Sequence, residues 1–285
     1  MDIQQLIRGR VSFGANEEYR VLLDGGAETT ALPSGTLRAY GELPAVGDWV
    51  SFRRAGELSL IEGVEARKTA FFRRAAGRTH ASQCVAANID VCFVVCGLDG
   101  YFNMRRVERY LLLTWESRAQ PVLVLNKADL CLNAKSLDVK AAINGVRSIA
   151  NGADVVAISA RHSVESLRRC LAPGVTVALL GSSGAGKSTI ANGLAGKTLA
   201  TREVREHDSR GRHTTTARML MALPGGGWLI DTPGMRELGL LASDTSLNLT
   251  FHEIAAAAEQ CRFGDCRHEN EPGCAVRQAV QANVI

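Results

Sequence analysis

With 285 residues and a composition 46% hydrophobic and 22% charged, the chain is an ordinary globular sequence with room for two or three domains of roughly 100 to 150 residues each. No apolar run reaches the roughly 18 residues that crossing a bilayer requires, and the opening Met1-Asp2-Ile3-Gln4-Gln5 lacks the basic-then-apolar pattern of a signal peptide. The expectation is a cytoplasmic protein with no membrane partner, whose net charge of +4 adds only a mild attraction to polyanions.

Residues 1–66 read as short β segments at 10–13, 19–23, 49–52 and 59–61, broken by Asp24-Gly25-Gly26, Pro33-Ser34-Gly35 and Gly47-Asp48. Several strands in so few residues imply a small closed barrel, because closure removes exposed edges. An SH3-like barrel gives much the same pattern, and an OB-type barrel is the expectation adopted. Arg67, Lys68, Arg73, Arg74 and Arg78 follow, with Phe71 and Phe72 among them. Basic groups interleaved with aromatics suit phosphate pairing and base stacking, although a solvated charged face has the same composition. A second set, Arg202, Arg205, Arg210, Arg212 and Arg218, falls in a stretch poor in apolar residues.

Beyond the first basic stretch the texture changes. Residues 89–95 form a continuous apolar run, followed by a helical stretch at about 105–116; 121–125, 154–158 and 175–180 are further runs. Buried strands alternating with helices mean a parallel sheet covered on both faces, and an α/β domain is expected over 67–240. Asn126-Lys127-Ala128-Asp129 stands just after one of these strands, at the end where open α/β sheets bind ligands. The Asp129 carboxylate can accept two hydrogen bonds, from the N1–H and the N2 amino group of guanine. Adenine has no such donor pair, and a buried Asp129 left unpaired against it would cost about 1–3 kcal/mol or more. Ser159-Ala160, after the run at 154–158, resembles the short loop that backs the guanine O6.

Gly181-Ser182-Ser183-Gly184-Ala185-Gly186-Lys187-Ser188 fits the phosphate-loop pattern without exception, after a strand ending at Leu180 and before a helix running through Thr189. Its glycines let backbone N–H groups curl inward toward phosphate oxygens; Lys187 reaches the β and γ phosphates, and the Ser188 hydroxyl binds Mg²⁺. Residues 218–231 read as a hairpin turning at Pro224-Gly225-Gly226-Gly227 and leading into Asp231-Thr232-Pro233-Gly234. Asp231 should hold Mg²⁺ through water, and the Gly234 N–H should bond the γ-phosphate, so that hydrolysis frees the segment that follows. Upstream, Arg212-His213-Thr214-Thr215-Thr216 lies in a polar loop. Thr215 is the favoured residue to complete the Mg²⁺ shell, a hydroxyl-rich turn being the plainer alternative. Gly234 is followed by Met235, where Ras-like proteins carry a glutamine that orients the attacking water. Methionine cannot hold a water, so unaided hydrolysis should be slow, and His213 is the candidate catalytic group beside Lys187, simple contact with RNA or solvent being the plainer alternative.

Only residues 235–285 follow Gly234, and they contain no guanine motif. The guanine-reading segment therefore precedes the phosphate loop, which makes the GTPase domain a circular permutation of the usual order. From about 243 the chain turns helical and then cysteine-rich, with Cys261, Cys266, His268 and Cys274 in one cluster. Three thiolates and an imidazole match a closed, tetrahedral structural zinc site with no open position for catalysis, in a segment, 241–285, too small to build much core. Gly264 and Gly273 are expected to make its tight turns. The other cysteines, Cys84, Cys92, Cys96, Cys131 and Cys170, are scattered and expected to pack as free thiols.

A barrel, a permuted GTPase carrying Asn126-Lys127-Ala128-Asp129, Gly181 to Thr189, Gly211-Arg212-His213-Thr214-Thr215-Thr216 and Asp231-Thr232-Pro233-Gly234, and a Cys₃His module, in this order, resemble the RsgA (YjeQ) family of GTPases dependent on the small ribosomal subunit. The resemblance implies GTP hydrolysis to GDP during late maturation of that subunit, with stimulation by the subunit itself. It implies a barrel and zinc module that grip ribosomal RNA, and it places the family's histidine at His213. A monomer is expected. Such proteins continue in a helical tail after the last zinc ligand, whereas this sequence stops at Ile285. Two other functions share some of these features. A nucleic-acid-binding module in which GTP only switches shape is favoured by Met235 and the basic clusters. A small-molecule kinase also carries a phosphate loop but has no use for Asn126-Lys127-Ala128-Asp129 or the Asp231 motif.

Overall fold

The computed structural model describes residues 6–15, 17–55, 58–74, 82–99, 102–131, 139–196, 218–231, 250–264, 266–269, 271–282 and 284. The first strands are β1 (Ile7–Ala15), β2 (Glu18–Leu22) and β3 (Glu28–Pro33), followed by α1 (Gly35–Tyr40), β4 (Trp49–Ala55) and β5 (Leu58–Val64). Pairing is antiparallel for β1–β2, β2–β3 and β4–β5 and parallel for β3–β5; the first half of β1 returns onto β4, with Ile7 opposite Phe52, and closes the barrel. A bulge between Val11 and Phe13 bends β1 so that one strand serves both sides. Val11, Val21, Ala31, Val50, Phe52 and Ile61 fill the interior, all fully buried. The parallel β3–β5 pair and the helix between β3 and β4 make this the OB-type arrangement rather than the SH3-like one. Pro33-Ser34-Gly35, expected to be only a turn, starts a helix: the Ser34 hydroxyl caps α1 by accepting from the Leu37 N–H at 3.4 Å.

The basic stretch after the barrel is a hairpin of β6 (Ala70–Arg74) and β7 (Ser82–Ala87). Here the expectation of a phosphate-facing cluster needs correction at two residues. Phe71 is buried, and Arg67 is paired at 2.7 Å with Asp48, whose side chain is wholly buried. A buried carboxylate demands such a partner, so Arg67 is committed to the joint beneath the barrel. Phe72 remains exposed, and Arg73 bonds Gln83.

The α/β sheet holds β8 (Val91–Gly97), β9 (Gln120–Asn126), β10 (Asp154–Ala157), β11 (Thr176–Gly181), β12 (Arg218–Ala222) and β13 (Trp228–Asp231) in the order β10-β9-β8-β11-β13-β12. All neighbours are parallel except β12, which forms the expected hairpin with β13. The helices α2 (Met104–Glu116), α3 (Ala128–Cys131), α4 (Val139–Ile149), α5 (Glu165–Arg168) and α6 (Lys187–Ala195) connect the strands. Successive strand residues point to opposite faces, and both faces are covered. Cys92, Val94, Leu123, Leu125, Ala178 and Leu180 share a core with Val107 and Leu111 of α2 and Val146 of α4. Phe93, Val95, Val122, Val124, Val177 and Leu179 share another with Leu167 of α5 and Ile190 and Leu194 of α6. Two covered faces are why these strands read as unbroken apolar runs.

The sheet continues into the barrel through β12 and β1, with Phe13 opposite Met219 and Gly14 opposite Arg218. Beneath that seam Arg10, almost fully buried, donates to Thr176 Oγ1 at 2.8 Å and to the backbone oxygens of Asn88 and Gly47. At the C-terminus α7 (His252–Ala258) and α8 (Ala275–Gln281) flank the cysteine cluster. Among the described residues no helix is long and apolar enough to cross a membrane.

Candidate nucleotide-binding site

From β8 the chain steps outward through β9 to β10, then returns to place β11 on the other side of β8 before moving to β13. That reversal opens a crevice between the carboxyl ends of β8 and β11, where open α/β sheets take their ligands. A cavity of about 170 Å³ lies there, lined among others by Gly97, Asp99, Asn103, Lys127 and Ser183–Ala185.

The phosphate loop leaves β11 at Gly181 and enters α6 at Lys187. Gly184 and Gly186 have φ of 77° and 98°, in the left-handed region that costs other residues about 1–2 kcal/mol. At Gly186 the space is closed as well, since a Cβ would lie 2.1 Å from Asn126 Nδ2. The Lys187 ammonium donates to Gly181 O at 2.7 Å and Ser182 O at 2.6 Å, while Ser188 and Thr189 stand exposed on the first turn of α6.

Asn126 ties three segments together. Its amide nitrogen donates to Ala185 O at 2.9 Å, inside the phosphate loop, and its Oδ1 accepts from the Ala160 N–H at 2.9 Å. Only 3% of the residue is exposed. One side chain thus fixes the segment that begins at Asn126, the Ser159-Ala160 loop and the phosphate loop to one another. The Ser159 hydroxyl hydrogen-bonds the Asp129 carboxylate and holds it below the usual carboxylate range, with His162 and Arg161 adding positive potential. Ser159 Oγ is also 2.8 Å from His162 Nδ1; with the hydroxyl proton directed at Asp129, the imidazole donates in that pair. Lys127 takes a φ of 66° and extends its ammonium to Asp99 Oδ2 at 2.6 Å. Neither Asp99 nor the Asn126–Gly186 packing is signalled by any motif. The only trace in the sequence is an acid two residues past an apolar strand.

Asp231 closes β13, whose residues Trp228, Leu229 and Ile230 run beside Thr176, Val177 and Ala178 of β11. Its backbone therefore arrives on the same edge of the sheet as the phosphate loop. His213, Thr215 and Gly234 lie outside the described residues.

In the C-terminal module the ligating atoms of Cys261, Cys266, His268 and Cys274 all lie within 4.8 Å of one another. His268 Nδ1 is 3.6 Å from Cys261 Sγ and 3.4 Å from Cys274 Sγ, and those two sulfurs are 4.0 Å apart. A tetrahedron with metal–sulfur bonds of about 2.3 Å and a metal–nitrogen bond of about 2.0 Å has edges of about 3.8 and 3.5 Å, so the donor set fits a four-coordinate ion. Backbone N–H groups of Val276 and Ala275 bond Cys261 and pull its thiol pKa down. Burial among its neighbours instead pushes Cys266 up to about 11, and only a cation in the centre makes thiolates of all three favourable. The left-handed turns here fall on Gly273 and on His268 (φ 62°); Gly264, expected to make one, has an ordinary φ.

The sequence model of the RsgA GTPase family matches residues 64–241. The chain belongs to the RsgA GTPase family. Relatives named small ribosomal subunit biogenesis GTPase RsgA include one from Opitutus terrae, 48% identical over 93% of this chain and 76% of its own length. Another, from Xylella fastidiosa, is 48% identical over 90% of this chain and 76% of its own. RsgA 2 of Lactiplantibacillus plantarum is 42% identical over 98% of this chain and 79% of its own. The crystal structure of YjeQ from Thermotoga maritima superposes with a TM-score of 0.70 at 25% identity, covering 99% of this chain and 93% of that one. That of YloQ, described as a circularly permuted GTPase, gives 0.65 at 22% identity over 99% and 90%, and carries the fold alone. The permuted order read from the motifs is thus the order of the RsgA fold.

Proposed function

We propose that this RsgA-family chain hydrolyses GTP to GDP and phosphate while bound to the small (30S) ribosomal subunit and its rRNA, during late maturation of that subunit. The observation that carries it is the Asn126 bridge, which makes a guanine reader and a phosphate loop one rigid pocket. Asn126, Lys127 and Asp129 take the base, with Ser159 and Ala160 behind it. Gly181 to Thr189 take the phosphates, joined by Asp231 and Gly234. Ser188, Thr215 and Asp231 are suited to Mg²⁺, which neutralises phosphate charge when it arrives with GTP; Ser188 is exposed on the helix turn beside the phosphate loop, as that role requires. Cys261, Cys266, His268 and Cys274 are suited to a structural Zn²⁺.

In the reaction, water attacks the γ-phosphorus in line with the leaving β–γ bridging oxygen. Lys187 transfers its donors from the carbonyls of Gly181 and Ser182 to the β and γ oxygens, stabilising charge that grows on them. His213 orients the water. We assign residues 1–66 to an RNA-binding barrel, 67–240 to the GTPase domain and 241–285 to the zinc module, in a cytoplasmic monomer.

The test is GTP turnover with purified small subunits, with large subunits as control and ATP as competitor. A low basal rate raised strongly by small subunits alone, and unaffected by ATP, is expected. Tight GTP binding with no stimulation would sink the subunit-activated mechanism.

A further inference from the structure

Building on the assignment of this site to guanine nucleotide, we propose that Asp99 is a positioning residue for nucleotide binding, acting through Lys127. The lysine's backbone is fixed on both sides. Leu98 N donates to Asn126 O at 2.7 Å and Ala128 N to Ile158 O at 3.1 Å, and between them Lys127 holds the left-handed φ of 66°. Its side chain is another matter. Four methylenes ending in an ammonium sample many rotamers, and ordering them opposes binding. Asp99 removes that freedom by holding Nζ at 2.6 Å, in a pair only 29% and 21% exposed at the two side chains.

The fold also clears room for the pair. Gly97 carries no Cβ where one would stand 3.0 Å from Asp99 Oδ2 and 3.5 Å from Lys127 Cδ. Asp99 is carried on the segment between β8 and α2, and Lys127 on the segment after β9; both line the cavity that Ser182–Ala185 close from the other side. The stem of Lys127 is thereby held in one wall of the crevice before any nucleotide enters. Preorganisation of this kind strengthens binding by removing an ordering cost. It acts equally on GTP and GDP, because Lys127 is assigned to the base that both share and not to the γ-phosphate.

The measurement is the Kd of fluorescent GTP and GDP analogues for wild type, Asp99→Ala, Asp99→Glu, Lys127→Ala and the double variant, alongside kcat, with melting curves to confirm folding. Wild-type binding of both nucleotides is the control for the site itself. Its absence would overturn the guanine-nucleotide assignment rather than the role of Asp99. Asp99→Ala is expected to raise both Kd values by about five- to tenfold and leave kcat within about twofold. Asp99→Glu should recover most of the loss, and the double variant should bind no more weakly than Lys127→Ala alone. Binding by Asp99→Ala within about twofold of wild type, or losses that simply add in the double variant, would overturn the proposal.

Discussion

Asn126→Ala is the sharpest single perturbation of the site. The substitution strands Ala185 O and the Ala160 N–H, the two groups that the side chain now serves at 2.9 Å each. Each buried group left unpaired costs about 1–3 kcal/mol, so the pair loses about 2–6 kcal/mol before water or a loop shift recovers part. If about 3 kcal/mol remains and falls on the bound state, Kd for GTP and GDP rises together by roughly 100-fold, at 1.4 kcal/mol per decade. A share falling on folding instead lowers Tm by about 2–4 °C per kcal/mol for a chain of this size. Titration with fluorescent GTP and GDP, followed by thermal melts, separates the two. Turnover at saturating GTP should change little, since the bridge touches the loop and not the γ-phosphate. Asn126→Asp should be at least as damaging, because its second oxygen would face Ala185 O with no proton to give. If both variants bound within about threefold of wild type with unchanged melts, the bridge would have no energetic role in binding or folding.

Gly186→Ala should damage binding through the same residue, since its Cβ meets Asn126 Nδ2 at 2.1 Å. In an Asn126→Ala background the obstruction is gone, and the second loss should shrink to the backbone strain of about 1–2 kcal/mol, readable as a non-additive Kd cycle. Ser159→Ala removes the hydroxyl that holds the Asp129 carboxylate below its usual range. Asp129 is proposed to take guanine as the ionised carboxylate, so binding is expected above that pKa and lost as pH falls through it. The variant should lose GTP affinity at a higher pH than wild type, and superimposable acid limbs in a pH series of Kd would refute the link. Cys266→Ala opens the four-ligand cluster, and metal content by atomic emission should fall from about one ion per chain to none, with GTP affinity unmoved.

Much of this site was legible because its chemistry is local. A phosphate loop needs glycines and a lysine at fixed spacing, and Gly184, Gly186 and Lys187 sit where the spacing puts them. The strands were legible because each is buried on two faces, so that Phe93 and Val94 serve opposite cores. What could not be read was long-range polar pairing. Arg10 looks like any strand arginine, yet it reaches Thr176 across 166 positions. Arg67 looked like a phosphate ligand and is spent on Asp48. Asp99 lies 28 positions before Lys127, with nothing between them to announce the pair. Periodicity reports what an element buries, and spacing reports what a loop binds, but neither reports which charge the fold will bring alongside.

Permutation gives the hairpin of β12 and β13 a particular place. Along one edge β13 runs parallel to β11, the strand that delivers the phosphate loop, and along the other β12 is hydrogen-bonded to barrel strand β1. In chain order the hairpin lies between the polar segment holding His213 and Thr215 and the motif that begins at Asp231. Both segments proposed to sense the γ-phosphate are therefore anchored to a single two-stranded unit shared by the barrel and the nucleotide domain. Under that unit Arg10 bonds the β11 residue Thr176 and, through Gly47 and Asn88, the two chain segments that meet at the joint. The barrel is thereby hydrogen-bonded to the two-stranded unit whose last residue is Asp231. In the usual motif order a domain attached at the N-terminus would meet the phosphate-loop strand first. Here the barrel leads along the chain through β6 and β7 into β8, and it meets the hairpin, whose two ends the γ-phosphate is proposed to govern, through the β1–β12 pairing.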